Sequence, residues 1–235
     1  MTVGEETDDP YCLRPGDAVR FLAAHPWRRF AVLGDSIAEG VFEPMPGYRP
    51  LAFADRVHQE LRAVAPDLTY LNVGRRNLRT HEVRSGQLFA VCAFRPDLAL
   101  LVCGANDALR PGYERRADAV DRDLAAMITT LHGYGAVVIT VSIFVMPNYH
   151  GVVPAWLAPA FTERMTELAA RTTSLARRLG TVHVDLARHP ALADDDLTGP
   201  DGLHGNGRSQ AIAAAETVRV LGAALAARSA PAAAR

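Results

Sequence analysis

Five short apolar runs, each separated from the next by a stretch with helical spacing, constrain this chain more than any other feature. They fall at residues 30–33, 69–73, 98–103, 136–144 and 181–185. Near-continuous apolar runs of this length are the pattern of strands buried on both faces. Between them, residues 50–64 repeat apolar side chains at Phe53, Val57, Leu61 and Val64. Similar spacing recurs over 83–93, 117–131 and 159–179, a last helix is expected at 210–227, and a short one at 17–25 carries Ala18, Phe21 and Leu22 on one side. Strand alternating with helix predicts an α/β fold: a three-layer, doubly wound sheet of five parallel strands. Right-handed crossovers then place helices on both faces. The 235 residues fit one domain, expected over 14–229, with no internal repeat and no linker. Residues 1–13 are acidic and turn-rich and are expected to be loosely packed; the Ala/Arg tail at 230–235 is expected to fray.

Composition narrows the functional classes. A formal net charge of −1 argues against broad nucleic-acid binding. All 25 basic residues are arginines, so lysine Schiff-base chemistry is excluded. Cys12, Cys92 and Cys103 form no CxxC and no even set, so no disulfide framework is implied. The acidic N-terminus lacks the apolar segment of a signal peptide, and no stretch reads as long and apolar enough to span a bilayer. A cytoplasmic, reduced protein without a membrane partner is the expectation. The sequence sets no oligomeric state.

The first strand ends in Gly34-Asp35-Ser36, and the chain then turns towards a helix. That layout presents the Ser36 hydroxyl at the carboxyl edge of a buried strand, where open α/β sheets bind ligands. Alone, these are ordinary turn residues, and Ser36 reads first as a helix N-cap. Two later segments change the balance: Gly104-Ala105-Asn106-Asp107 after the third strand, and Asp201-Gly202-Leu203-His204 near the end. A serine, an amide and an Asp/His pair supply a nucleophile, an oxyanion donor and a base with its orienter. Asn106 could instead make an Asx-turn, and Asp201 and His204 could be plain turn residues. His183 and His189 have no metal-ligand spacing, and the first strand lacks the GxGxxG of dinucleotide binding.

In these three blocks the chain resembles the SGNH, or GDSL-type, serine hydrolases. Gly34, Asp35, Ser36 and Gly40 match the family's first block, Gly104 to Asp107 its third, and Asp201 to His204 its fifth. The resemblance implies a flavodoxin-like strand order 2-1-3-4-5. It also implies an ester (or thioester) substrate cleaved through an acyl-enzyme on Ser36, with His204 as base, Asp201 as its orienter, and no metal or cofactor; with no secretion signal read, a small-molecule ester is the expectation. The oxyanion would rest on the Ser36 N–H, the Asn106 amide and a second-block N–H. Acyl transfer from the same acyl-enzyme is the alternative, and a catalytically idle binding protein on this fold is a further one.

The second block departs from the family pattern of asparagine followed five residues later by glycine. Here Asn72-Val73-Gly74-Arg75-Arg76-Asn77 puts Asn77 at the glycine position, with Gly74 three residues early. Asn77 is preferred as the donor because asparagine tolerates left-handed backbone; Gly74 is the alternative. Arg75, Arg76 and Arg79 crowd the same strand end and suit either an anionic substrate group or a solvated turn. Segment 147–157, with Tyr149 and Trp156, follows the fourth strand and reads as a substrate-facing lid or pocket wall, or equally as a packed connection.

Overall fold

The structure is a computed structural model describing residues 5–23, 25–146, 149, 152–194 and 196–229. The 230–235 tail, expected to fray, lies outside the described residues, as do 147, 148, 150 and 151 of the expected lid.

Among the described residues, β1 (Arg29–Gly34), β2 (Thr69–Asn72), β3 (Leu98–Val102), β4 (Val137–Ser142) and β5 (Val182–Asp185) form one sheet. Every pairing is parallel and the order is β2-β1-β3-β4-β5, as the resemblance implied. The helices are α1 (Asp17–Leu22), α2 (Ser36–Glu39), α3 (Phe53–Val64), α4 (Thr80–Phe94), α5 (Ala105–Ala108), α6 (Ala117–Gly133), α7 (Ala158–Leu179) and α8 (Gly207–Ser229). Side chains alternate across the pleat. Phe30, Val32, Leu98 and Leu100 enter the core layer under α3 and α8. Ala31, Leu33, Ala99 and Leu101 enter the layer under α4, α6 and α7. Both faces are therefore apolar, which is why the strands read as continuous runs.

β4 stops at Ser142, two residues short of its apolar run, because β5 pairs with it only as far as Ser142 and Asp185. Residues 143–146 leave the sheet and line the rim beside the site. The helix expected after Gly34-Asp35-Ser36 is the single turn α2, and sequence spacing missed α5, which is too short to show periodicity.

Two expectations need correction. Residues 5–13 are not loosely packed. Glu6 reaches Arg56, whose side chain is fully buried, at 2.6 Å, and Asp9 reaches Arg208 at 2.7 Å. Asp9 also accepts from the Tyr48 hydroxyl at 2.8 Å, and Cys12 sits in a small apolar cluster with Tyr48 and Ile212. Composition suggested solvated acids, but each of these two has a buried arginine waiting for it. The second correction concerns α8: residues Gly207–Arg228 are long and apolar enough to cross a membrane. In this fold they form a core helix, with Ala214, Val218 and Leu221 packed into the layer shared with α1 and α3.

Candidate active site

The carboxyl end of β1 is built for close approach. A Cβ on Gly34 would lie 1.9 Å from the Val102 carbonyl oxygen of the paired strand β3, at a φ of +148°. Only glycine fits there. The Gln87 side chain of α4 clasps the same residue, accepting from Gly34 N–H at 2.8 Å and donating to its carbonyl at 2.9 Å. The turn ahead of Ser36 is thus held from both directions. Gln87 was missed from sequence. Its signal was a polar residue on the buried stripe Val83, Gln87, Val91, where an amide needs partners.

Ser36 is the first residue of α2, with Asp35 as its N-cap accepting from Ile37 N–H at 3.1 Å. The sequence reading had offered Ser36 itself as a cap; Asp35 fills that position instead, leaving the serine hydroxyl available. Its Oγ lies 3.0 Å from Nε2 of His204. On the far side of the ring, Nδ1 lies 2.6 Å from the Asp201 carboxylate. A carboxylate can only accept, so Nδ1 carries the proton and Nε2 is left bare to accept from the serine. Asp201 also accepts from the backbone N–H groups of Leu203 and His204, at 3.0 and 2.9 Å. Burial pushes its carboxyl up, but these bonds, led by the one from His204, hold it below the ordinary aspartate range.

The loop carrying this pair is tied down at several points. Gly199 N–H donates to the His204 carbonyl and Glu43 N–H to the Gly205 carbonyl. Asn206 accepts from Ser209 N–H at the start of α8 and donates to the Asp196 carbonyl. Arg208, one residue into the same helix, holds Asp9, Asp194 and Asp196 together.

The second and third blocks meet on the other flank. Asn106 donates to the Leu78 carbonyl at 3.0 Å, which leaves its second amide hydrogen uncommitted. Asp107 accepts from both the N–H and the hydroxyl of Thr80, at 2.8 and 2.9 Å, and so anchors the start of α4. Asn77, one residue before Leu78, has a φ of +66°. That is the left-handed geometry that favoured it over most residues, and its N–H has no partner among the described residues. Gly74 N–H is already committed to the Asn72 side chain at 2.8 Å. Gly74 instead serves close packing, since a Cβ there would sit 2.4 Å from the Glu39 nitrogen.

The remaining candidates stand apart. Arg76 is paired with Glu39 at 2.9 Å, and Arg75 is exposed. Tyr149 is a core residue, 2% exposed, with its ring 4.3 Å from that of Phe161 and its hydroxyl accepting from Met146 N–H. It is too enclosed to meet a substrate; its hydroxyl props the chain leaving β4. Trp156 is 79% exposed. His183 and His189 are occupied within the core: His183 by Thr140, Ser142 and Thr173, His189 by Ala191 N–H.

An uncommitted hydroxyl aligned with a bare imidazole nitrogen can move one proton, and the flanking N–H groups can receive developing negative charge. Residues 32–212 match the GDSL-like lipase/acylhydrolase family. No curated protein sequence matches. Among solved structures, the chain is similar to Axe2, an acetylxylan esterase from Geobacillus stearothermophilus, at 18% identity and a TM-score of 0.63, covering 83% of this chain and 94% of that one. A lipase/acylhydrolase from Enterococcus faecalis matches at 20% identity and 0.63, covering 84% and 96%. The acetyl xylan esterase AlAXEase matches at 16% and 0.62, covering 80% and 96%.

Proposed function

The chain belongs to the GDSL-like lipase/acylhydrolase family and is an ester hydrolase; on that premise we propose that it cleaves a small-molecule carboxylic ester through an acyl-enzyme on Ser36. The continuous hydrogen-bonded line from Asp201 through His204 to Ser36 carries this reading. In the first step Oγ bonds to the ester carbon while its proton passes to Nε2 of His204. The carbonyl electrons move onto oxygen, and that oxyanion is met by the N–H groups of Ser36 and Asn77 and the Asn106 amide. When the carbonyl reforms, the C–O bond to the alcohol breaks, and the departing oxygen takes the proton from Nε2. Water then repeats the sequence on the acyl-enzyme, releasing the acid and restoring the serine. Asp201 holds the useful tautomer and offsets the charge of the imidazolium between steps.

A fluorophosphonate probe tests this directly. The expected result is one covalent adduct on Ser36, absent in Ser36→Ala, with kcat for an activated ester reduced by ~10⁴–10⁶. Labelling that survives Ser36→Ala would place the nucleophile elsewhere. Asn106→Ala should lower kcat by ~10²–10³ with KM little changed, because the amide bonds the oxyanion more strongly than the ground-state carbonyl.

A further inference from the structure

A pocket of about 70 Å³ opens directly beside His204, on the β4 and β5 side of the imidazole. At its mouth stand Ile37, Ile143, Met146 and Leu203, all half-buried; its floor is Phe53, Leu186 and Ala213, all buried. His204 is the one titratable side chain in the lining. Two other polar side chains reach it, and both have internal work. Ser209 donates its hydroxyl to the Asn206 carbonyl at 2.8 Å, and Gln210 accepts from Phe53 N–H at 2.9 Å, which leaves the Gln210 amide nitrogen as the one donor these two could offer, too few to replace the hydration of a sugar. A sugar or a charged group entering here would lose water without recovering equivalent hydrogen bonds. A hydrocarbon chain would lose nothing of that kind and would bury apolar surface.

We propose that this pocket binds a short aliphatic arm of the ester, so that the enzyme prefers aliphatic esters of medium length over acetate esters of small alcohols. The inference rests on the Ser36–His204 reading above. With one methylene-sized group taken to need the ~10–15 Å³ that a water needs, the pocket has room for about five to seven of them. The arm can enter from either side of the scissile carbonyl, as acyl chain or as alcohol. The chemistry recognised is the same.

Two ester series separate these sources: p-nitrophenyl esters from acetate to decanoate, and alkyl acetates from ethyl to octyl. In the series whose variable arm occupies the pocket, kcat/KM should rise about fourfold per methylene until the space is filled, then level off. Ala213→Leu fills the floor and Met146→Trp narrows the mouth. In either variant the hexanoate-to-acetate ratio (or hexyl-to-ethyl, if the alcohol arm is the one that rises) should fall at least tenfold. The mouth variant keeps the test open if the buried substitution fails to fold. A flat profile in both series overturns the proposal, as does a rising profile that both variants leave intact. Those outcomes differ from failure of the serine-hydrolase reading, which would appear as no fluorophosphonate adduct and no turnover of any ester, acetate included.

Discussion

Two buried aspartates, Asp9 and Asp35, hold their protons in opposite ways. Asp35 is fully buried at the end of β1, with one oxygen bonded to Ile37 N–H and the other without a hydrogen-bond partner among the described residues. Burial, reinforced by the nearby Asp107 carboxylate, pushes its carboxyl up to about 7. Asp9, 9% exposed, feels the same push from burial. The Arg208 guanidinium, Tyr11 N–H and the Tyr48 hydroxyl more than reverse it and hold the carboxyl below its ordinary range. Burial sets the penalty for charge; the partner decides whether charge persists. The difference suits the two places. A raised Asp35 carboxyl puts less negative charge beside the Ser36 hydroxyl than an ordinary aspartate would. An ionised Asp9 ties the N-terminal segment to the helix that follows His204.

The comparison can be broken most forcefully at Arg208. Arg208→Met leaves Asp9, Asp194 and Asp196 gathered around an uncharged side chain. Removing one partner of a buried ion pair costs ~3–5 kcal/mol, so urea unfolding should show a loss of that size at pH 7. A loss below ~0.5 kcal/mol would show that the cluster holds nothing together.

Asp35→Asn should act in the other direction. Native Asp35 keeps its proton up to about pH 7, whereas the unfolded chain releases it near the ordinary aspartate value of 3.8. The unfolded state therefore binds fewer protons across that window, and wild-type stability falls as pH rises through it, then levels above 7. The asparagine variant keeps the cap to Ile37 without that slope. Its unfolding free energy should exceed that of wild type by an amount that grows between pH 4 and 7, on the order of a few kcal/mol at most, read by urea unfolding. Parallel pH profiles for the two proteins would mean that Asp35 is ionised throughout.

For Asp9→Asn the sign reverses. The depressed carboxyl contributes stability that is present above the unfolded value of 3.8 and is lost as pH falls through the lower native one. The variant should be less stable by ~1.5–3 kcal/mol at pH 7. The gap should close below about pH 4, where the unfolded carboxyl is protonated too. A gap that stayed constant into acid would assign the loss to packing rather than charge. Tyr48→Phe gives the smallest effect: one donor to Asp9 disappears, at ~0.5–1.5 kcal/mol, measurable by thermal melting at neutral pH.

The site was legible in sequence wherever its chemistry sits in a short motif. Ser36, Asn106, Asp201 and His204 each follow a strand or occupy a tight turn, and the structure brings Ser36, Asp201 and His204 into one hydrogen-bonded line. Asn77 is preferred over Gly74 in sequence because asparagine tolerates left-handed backbone, and its observed φ is +66°. The groups that hold these residues in place were not legible. Gln87 lies 53 residues from Gly34; the apolar stripe of Val83 and Val91 marks it as a buried amide, but nothing local names Gly34 as its partner. Tyr149 looked like a substrate contact because it follows a strand in a Pro/Gly-rich stretch. Phe161, on a later helix, encloses it.

By itself the amino-acid sequence determined five strands, the helices between them and the three blocks carrying reactive groups; it read all five strands as buried, whereas only the inner β1, β3 and β4 are, and the edge strands β2 and β5 stay largely half-exposed. Steric preference, hydrophobic period and turn chemistry act over a few residues and are written locally. Only the tertiary structure decided that residues 5–13 are packed rather than loose, that an apolar pocket adjoins His204, and that the Asp9 carboxyl is held below its ordinary range while that of Asp35 is pushed up. Those outcomes depend on groups such as Asp9 and Arg208, 199 positions apart. Their electrostatic and packing energies exist only once the chain has brought them within hydrogen-bond distance.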